Sequence, residues 1–166
     1  MKKLTLALFL TLLTAAAAQA KPSLVKQYGD WGLYAYKNGN RTVCYLLTMP
    51  SAQRPANVDH GQNFFLIGHG PKGSDRYEPQ IRTGYDLKEG SVVTVNIGND
   101  TFRLFTKGNT AWMVHESREP QMMAAMRGGR DMVIEAMSKR GTKTSYTYSL
   151  RGVSDGLKAV EGSRCR

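Results

Sequence analysis

An antiparallel β-sandwich with one or two short helices is the fold class this sequence predicts, and three observations predict it. Its 17 glycines are spread along 166 residues and break the apolar stretches into short runs. Several of those runs alternate apolar with polar residues, as a half-buried strand does. Only two segments carry helical spacing. Many short strands between turn signals favour an all-β, antiparallel, layered architecture.

The first twenty residues stand apart from that pattern. Lys2 and Lys3 precede an apolar run from Leu4 to Leu13, and the segment ends in Ala18-Gln19-Ala20. A positive start, a short apolar stretch and an A-x-A site make a secretory signal peptide, cut between Ala20 and Lys21. The run is too short for an ordinary membrane span, and no later stretch is long or apolar enough. Residues 21–166 are then expected to form a single exported domain, periplasmic, outer-membrane-associated or secreted, and not an integral membrane protein.

Within that domain, strands over Trp31 to Tyr36 and Val43 to Thr48 flank the turn Asn38-Gly39-Asn40. Cys44, Leu46 and Thr48 share one face of the second strand. Pro50 to Gln62 is polar, holds two prolines and reads as a loop. A strand follows at Asn63 to Ile67, then a loop from Gly68 to Ser74, then a strand near Gln80 to Tyr85. The clearest hairpin joins Ser91–Ile97 to Thr101–Phe105 across Gly98-Asn99-Asp100. Thr110 to Val114 is a further strand.

A helix is expected over Pro120–Arg127, where Pro120 suits a first turn and Met122, Ala125 and Met126 form a stripe. Gly128-Gly129 ends it. Asp131–Met137 and Thr142–Leu150 then pair across Lys139-Arg140-Gly141. A terminal helix over Asp155–Val160 is expected to be capped by Ser154. The predicted core is Trp31, Leu46, Phe65, Val93, Val95, Phe102, Leu104, Trp112, Ile134, Tyr148 and Leu150.

The net charge of +10 falls to +8 without Lys2 and Lys3. Such an excess favours anionic partners. Arg127, Arg130, Lys139, Arg140 and Lys143 cluster around two turns. If those turns share one end of the sandwich, they form a cationic patch for phosphates or sulfates of an anionic envelope or host-surface component. An envelope protein read by shape is the other expected partner. Tyr146 and Tyr148 alternate on a strand and read as sheet residues, not as stacking platforms for bases. No nucleic acid is implied.

The two cysteines, Cys44 and Cys165, both lie in the exported part. An even count in an oxidising compartment suggests a disulfide, with two free thiols as the alternative. Closing a loop on the order of 100 residues contributes roughly 4–5 kcal/mol in the chain-entropy picture.

Three constellations carry possible chemistry. Gly152-Val153-Ser154-Asp155-Gly156 fits the G-x-S-x-G elbow of a hydrolase using Ser154, but no histidine follows it in the order that triad needs. Asp59, His60 and His69 sit in neighbouring loops without a full ligand set. Met123 and Met126 could offer thioethers to Cu(I), although methionines under a helix more often fill core gaps. No cofactor is implied.

A resemblance runs through the whole order of these motifs. It comprises Gly29-Asp30-Trp31, Cys44-Tyr45, Met49-Pro50, Gly84-Tyr85, Lys88-Glu89-Gly90-Ser91, Phe102-Arg103-Leu104-Phe105 and Ala111-Trp112. It continues through Ala125-Met126-Arg127-Gly128-Gly129, Arg140-Gly141-Thr142-Lys143-Thr144, Tyr148-Ser149-Leu150-Arg151-Gly152 and the closing Cys165. In that order they resemble the invasion-associated locus B family of Gram-negative bacteria. The resemblance implies an immunoglobulin-like sandwich, a periplasmic or surface location, and a part in host-cell invasion or envelope maintenance without catalytic residues. One departure is the first strand, Trp31-Gly32-Leu33-Tyr34-Ala35-Tyr36, which lacks the cysteine many members carry there. Cys44 is thereby left for Cys165.

Overall fold

A computed structural model describes residues 21–70 and 76–162. The expected signal peptide, most of the expected Gly68–Ser74 loop, and Cys165 lie outside them. The described residues hold eleven strands: β1 Ser23–Tyr28, β2 Trp31–Asn38, β3 Arg41–Thr48, β4 Ala52–Arg54, β5 Phe64–His69 and β6 Tyr77–Arg82. There follow β7 Val92–Ile97, β8 Asp100–Lys107, β9 Thr110–Met113, β10 Asp131–Met137 and β11 Lys143–Ser149. Two helices, α1 Glu119–Gly128 and α2 Val153–Glu161, complete the set, with a 3-10 turn at Glu116–Arg118 leading into α1.

Local chemistry explains the hairpins. β1–β2, β2–β3, β7–β8 and β8–β9 each turn through two residues, and each turn is a glycine followed by Asp or Asn. The glycine takes a positive φ, +59° at Gly39 for example, which matches the twist of paired strands and which a Cβ would oppose.

All neighbouring strands are antiparallel, in the order β1-β2-β3-β5-β6-β9-β8-β7-β10-β11-β4. That sheet cannot lie flat. β3 and β4 are separated only by Met49-Pro50-Ser51, yet they stand third and last in the order. At about 4.8 Å per strand, a flat sheet would put them nearly 40 Å apart, while so few residues reach roughly 14 Å. The sheet therefore curls until its ends meet, and the bend at Met49–Ser51 carries one strand from one layer to the other. Side chains confirm the closure. Phe65 of β5 packs edge-on against Trp31 of β2, with ring centroids 6.2 Å apart, and against Tyr148 of β11 at 6.1 Å. This is the all-β, sandwich-like class the sequence predicts.

The core is the inner face of that curled sheet. Cys44, Leu46 and Thr48 are buried while Val43, Tyr45 and Leu47 are half-exposed, so the alternation in β3 is as expected. Every predicted core residue is buried except Trp112. In β9, Ala111 and Met113 point inward and Trp112 outward, where it stacks on the exposed Phe105. Volume did not decide the facing of β9; the register with β8 did, because Trp112 pairs with outward Phe105 and Met113 with inward Leu104.

α1 lays Met122, Met123 and Met126 into the core, and α2 lays Val153, Leu157 and Val160 there. Each such side chain contributes about 1.5–3 kcal/mol of burial. Two short strands escaped the sequence pattern. β4 lies inside the expected Pro50–Gln62 loop, and β1 precedes the first predicted strand. Both are sheet edges whose side chains are nearly all exposed, so neither shows an apolar alternation.

Candidate functional site

The five basic residues do not form one patch. Arg127, in the last turn of α1, and Arg130 come before β10, whereas Lys139 and Arg140 in the hairpin turn and Lys143 at the start of β11 lie at its far end. A strand of this length holds its ends about 20 Å apart, so the expected sharing of one end is corrected. The first pair is also matched by carboxylates: Arg127 meets Glu161 at 3.4 Å and Arg130 meets Asp131 at 3.5 Å. At the far end only Lys139 has such a neighbour, Asp86 at 4.0 Å; Arg140 and Lys143 form no ion pair among the described residues.

That far end borders a cleft of about 710 Å³, with Lys139 and Arg140 on its rim beside Asp59, His60, Tyr85 and Asp86. The loop after β4 and the loop after β6 meet there through Gly61 and Gly84, packed so closely that a Cβ on Gly84 would enter the opposing backbone. Asn63, fully buried, fastens the two loops. Its amide donates to Gln53 Oε1 at 2.8 Å and to the His60 carbonyl at 3.1 Å, and its Oδ1 accepts from Gly84 N.

Below the rim runs a chain of polar side chains. His60 Nε2 lies 2.9 Å from the Pro55 carbonyl, and Nδ1 lies 3.0 Å from the Tyr146 hydroxyl. Tyr146 reaches the Tyr85 hydroxyl at 2.9 Å, Tyr85 reaches Thr144 Oγ1 at 2.6 Å, and Thr144 donates to the Ala136 carbonyl. A carbonyl only accepts, so Nε2 donates to Pro55, and in neutral His60 Nδ1 is an acceptor. From Nδ1 to Ala136 there are then four links and three hydroxyl protons. Burial, and then the Tyr85 hydroxyl, hold the Tyr146 phenol well above its ordinary value, so it stays a hydroxyl. Sequence reading placed His60 in a loop and Tyr146 on a strand, with no signal that 86 residues apart they would bond.

The other candidates are placed differently. Ser154 is not a helix cap. Gly152, at φ +93°, holds the cap position just before α2, with no side-chain cap, and Ser154 Oγ makes a 3.5 Å contact to the Arg127 carbonyl. Nor is it joined to a base: His60 bonds Tyr146, and His69 Nε2 donates to the Val160 carbonyl at 2.8 Å, tying the end of β5 to α2. His69 is thus a strand residue holding a helix. Among the described residues no group of three His, Cys, Asp or Glu is arranged for a metal. Met123 and Met126 are buried core residues, with 1% and 0% exposure. Cys44 is buried on β3 and is not a free thiol. No helix among the described residues is long and apolar enough to cross a membrane.

Comparison with known proteins decides the family. The sequence model for "Invasion associated locus B (IalB) protein" matches residues 31–161. The chain belongs to the invasion-associated locus B family. Among solved structures, the crystal structure of invasion associated protein B from Bartonella henselae superposes with a TM-score of 0.61 at 15% identity, covering 84% of this chain and 96% of that one. At that identity the likeness speaks for the IalB fold alone. No curated protein sequence matches the chain.

Proposed function

We propose that this IalB-family protein is an exported, non-catalytic binding protein of the bacterial envelope, acting in host-cell invasion or in envelope maintenance. The observation that carries this reading is the far end of the β10–β11 hairpin. Arg140 and Lys143 stand there without carboxylate partners among the described residues, and Lys139 and Arg140 rim an open cleft. Guanidinium and ammonium groups in that setting favour a phosphate or sulfate of an envelope or host-surface component. The patch proposed here is Lys139, Arg140 and Lys143, without Arg127 and Arg130. Binding of lipopolysaccharide or heparin, followed by light scattering or surface plasmon resonance, should weaken between low and physiological salt because exposed charges are screened. It should weaken further when Lys139, Arg140 and Lys143 become Ala. Binding that ignores both changes would show these side chains to be a solvated surface.

Export and covalent state belong to the same proposal. The A-x-A site supports a mature chain that begins at Lys21 and resides in the periplasm, on the outer membrane or outside the cell. Cys44 is not a free thiol, and the sequence holds one other cysteine, Cys165; both support a Cys44–Cys165 bond. Intact mass of the exported protein, alkylated with and without reductant, checks both. A precursor-sized mass would sink the cleavage, and two alkylatable thiols before reduction would sink the bond.

A further inference from the structure

We propose that a second cleft, at the opposite end of β6 from the first, binds a small organic cation of the alkyl- or quaternary-ammonium class. It lies between the start of β6, the outer face of β8–β9 and the first turn of α1, and measures about 370 Å³. Its walls include Phe105 and Trp112, stacked with centroids 5.8 Å apart and planes 28° apart. Phe105 is 48% exposed, so one side of an aromatic pair is left to water on an open sheet face. Tyr77 adds a third ring. Aromatic faces attract cations through their quadrupole. Tyr77 already shows this preference, since the guanidinium carbon of Arg127, from outside the cleft lining, lies 5.9 Å from its ring centroid.

Charge selects the ligand's sign. In a chain of net charge +10, this cleft gathers Glu78, Glu116 and Glu119 against Arg76 and Lys107. Arg76 is engaged by Glu116 at 3.2 Å, and Arg127 by Glu161 at 3.4 Å. Glu119 is different. It is 4% exposed, lines the cleft, and makes no ion pair among the described residues. Desolvation pushes its carboxyl above the ordinary value, opposed by a backbone hydrogen bond from Tyr77 and by Arg76 and Arg127 at longer range. A carboxylate held in that state beside aromatic walls is stabilised by a cation that brings little hydration of its own, which describes a methylated ammonium better than sodium. The site is separate from the basic end of the hairpin and does not depend on the anionic partner proposed there.

The two tryptophans make the test direct. Trp31 is fully buried and donates to the Ser149 carbonyl, so it is insulated, whereas Trp112 lines the cleft. Tetramethylammonium chloride is titrated into the purified protein against sodium chloride at equal ionic strength, and tryptophan emission is followed. A saturable change with tetramethylammonium alone is expected. Phe105→Ser, at an exposed position, should weaken it about fivefold, as loss of one exposed cation–ring contact implies. Glu119→Gln should weaken it as well; if that variant does not fold, Phe105→Ser decides. The proposal is overturned if no saturable change appears, if sodium chloride gives the same change, or if Phe105→Ser leaves the titration unmoved. A saturable response to a neutral sugar but not to tetramethylammonium would overturn it in favour of a glycan platform.

Discussion

Gly29 and Gly152 bring backbone against backbone where the β1–β2 turn meets the turn after β11; Gly61 and Gly84 do the same beside the His60 cleft. The two junctions are finished differently. Around Gly29 the closure is made mostly to main chain: Asp30 N donates to the Arg151 carbonyl at 3.0 Å, Trp31 Nε1 to the Ser149 carbonyl at 3.0 Å, and Thr48 Oγ1 to the Asp30 carbonyl at 2.7 Å. Around Gly61 the loops are held by Asn63, and the space beneath is crossed by side chains from His60 to Thr144. Both junctions exclude an added Cβ, at Gly152 and at Gly84, but main-chain closure asks little of the neighbouring side chains. Side-chain closure tolerates sequence change at its rim and leaves polar groups that a ligand can address.

The largest expected effect lies at the first junction. Gly152→Ala forces a Cβ into the Tyr28 backbone, at a φ of +93° that L-residues avoid. A loss of about 3 kcal/mol or more is expected, read as a fall in Tm of roughly 6–12 °C. An unchanged Tm would mean that the junction is slack and the contrast with the cleft false.

Tyr146→Phe tests the second junction. It strands His60 Nδ1 without its hydroxyl partner and cuts the link to Tyr85. About 1–3 kcal/mol of stability should go, measured by urea unfolding, with the far-ultraviolet CD spectrum intact. A loss as large as that of Gly152→Ala would make the cleft as structural as the seam.

The smallest effect separates the two junctions by pH. Arg151 binds Asp30 through both carboxylate oxygens, at 2.7 and 3.1 Å. That hydrogen bonding first, then Ser149, holds the Asp30 carboxyl below its ordinary value. A depressed carboxyl contributes stability above its unfolded value of about 3.9 and loses it as pH falls through the native one. Asp30→Asn should therefore lower Tm slightly at neutral pH and match wild type in strong acid. A constant difference at every pH would remove the ion pair from the seam.

Sequence pattern made the inner face legible because burial and alternation are the same fact in a strand with one dry side. Cys44-Leu46-Thr48 and Thr144-Tyr146-Tyr148 both follow it. It failed where pairing, not apolarity, sets the structure. Polar β4, and β1 with its adjacent apolar Leu24 and Val25 both exposed, exist through ladder bonds to β11 and β2, and Trp112 faces outward because of the register of its neighbour. The basic patch was misplaced for a related reason: residues close in sequence on either side of β10 are separated by the strand's whole length. Both clefts join segments remote in the chain, His60 to Tyr146 in one and Tyr77, Phe105 and Glu119 in the other, and no local spacing records such meetings.

The seam at Gly29 also sets a schedule. Its bonds join Asp30 to Arg151, 121 residues on, and Trp31 to Ser149, 118 residues on. A chain emerges from the ribosome N-terminus first, so the first turn waits unclosed until Ser149 and Arg151 appear. Contacts of such separation are slow to form because the loop's entropy is surrendered before any bond rewards it. The finished fold is thus postponed until the turn after β11 has been made, and a chain cut short before it would lack the seam however much of the sheet it carried.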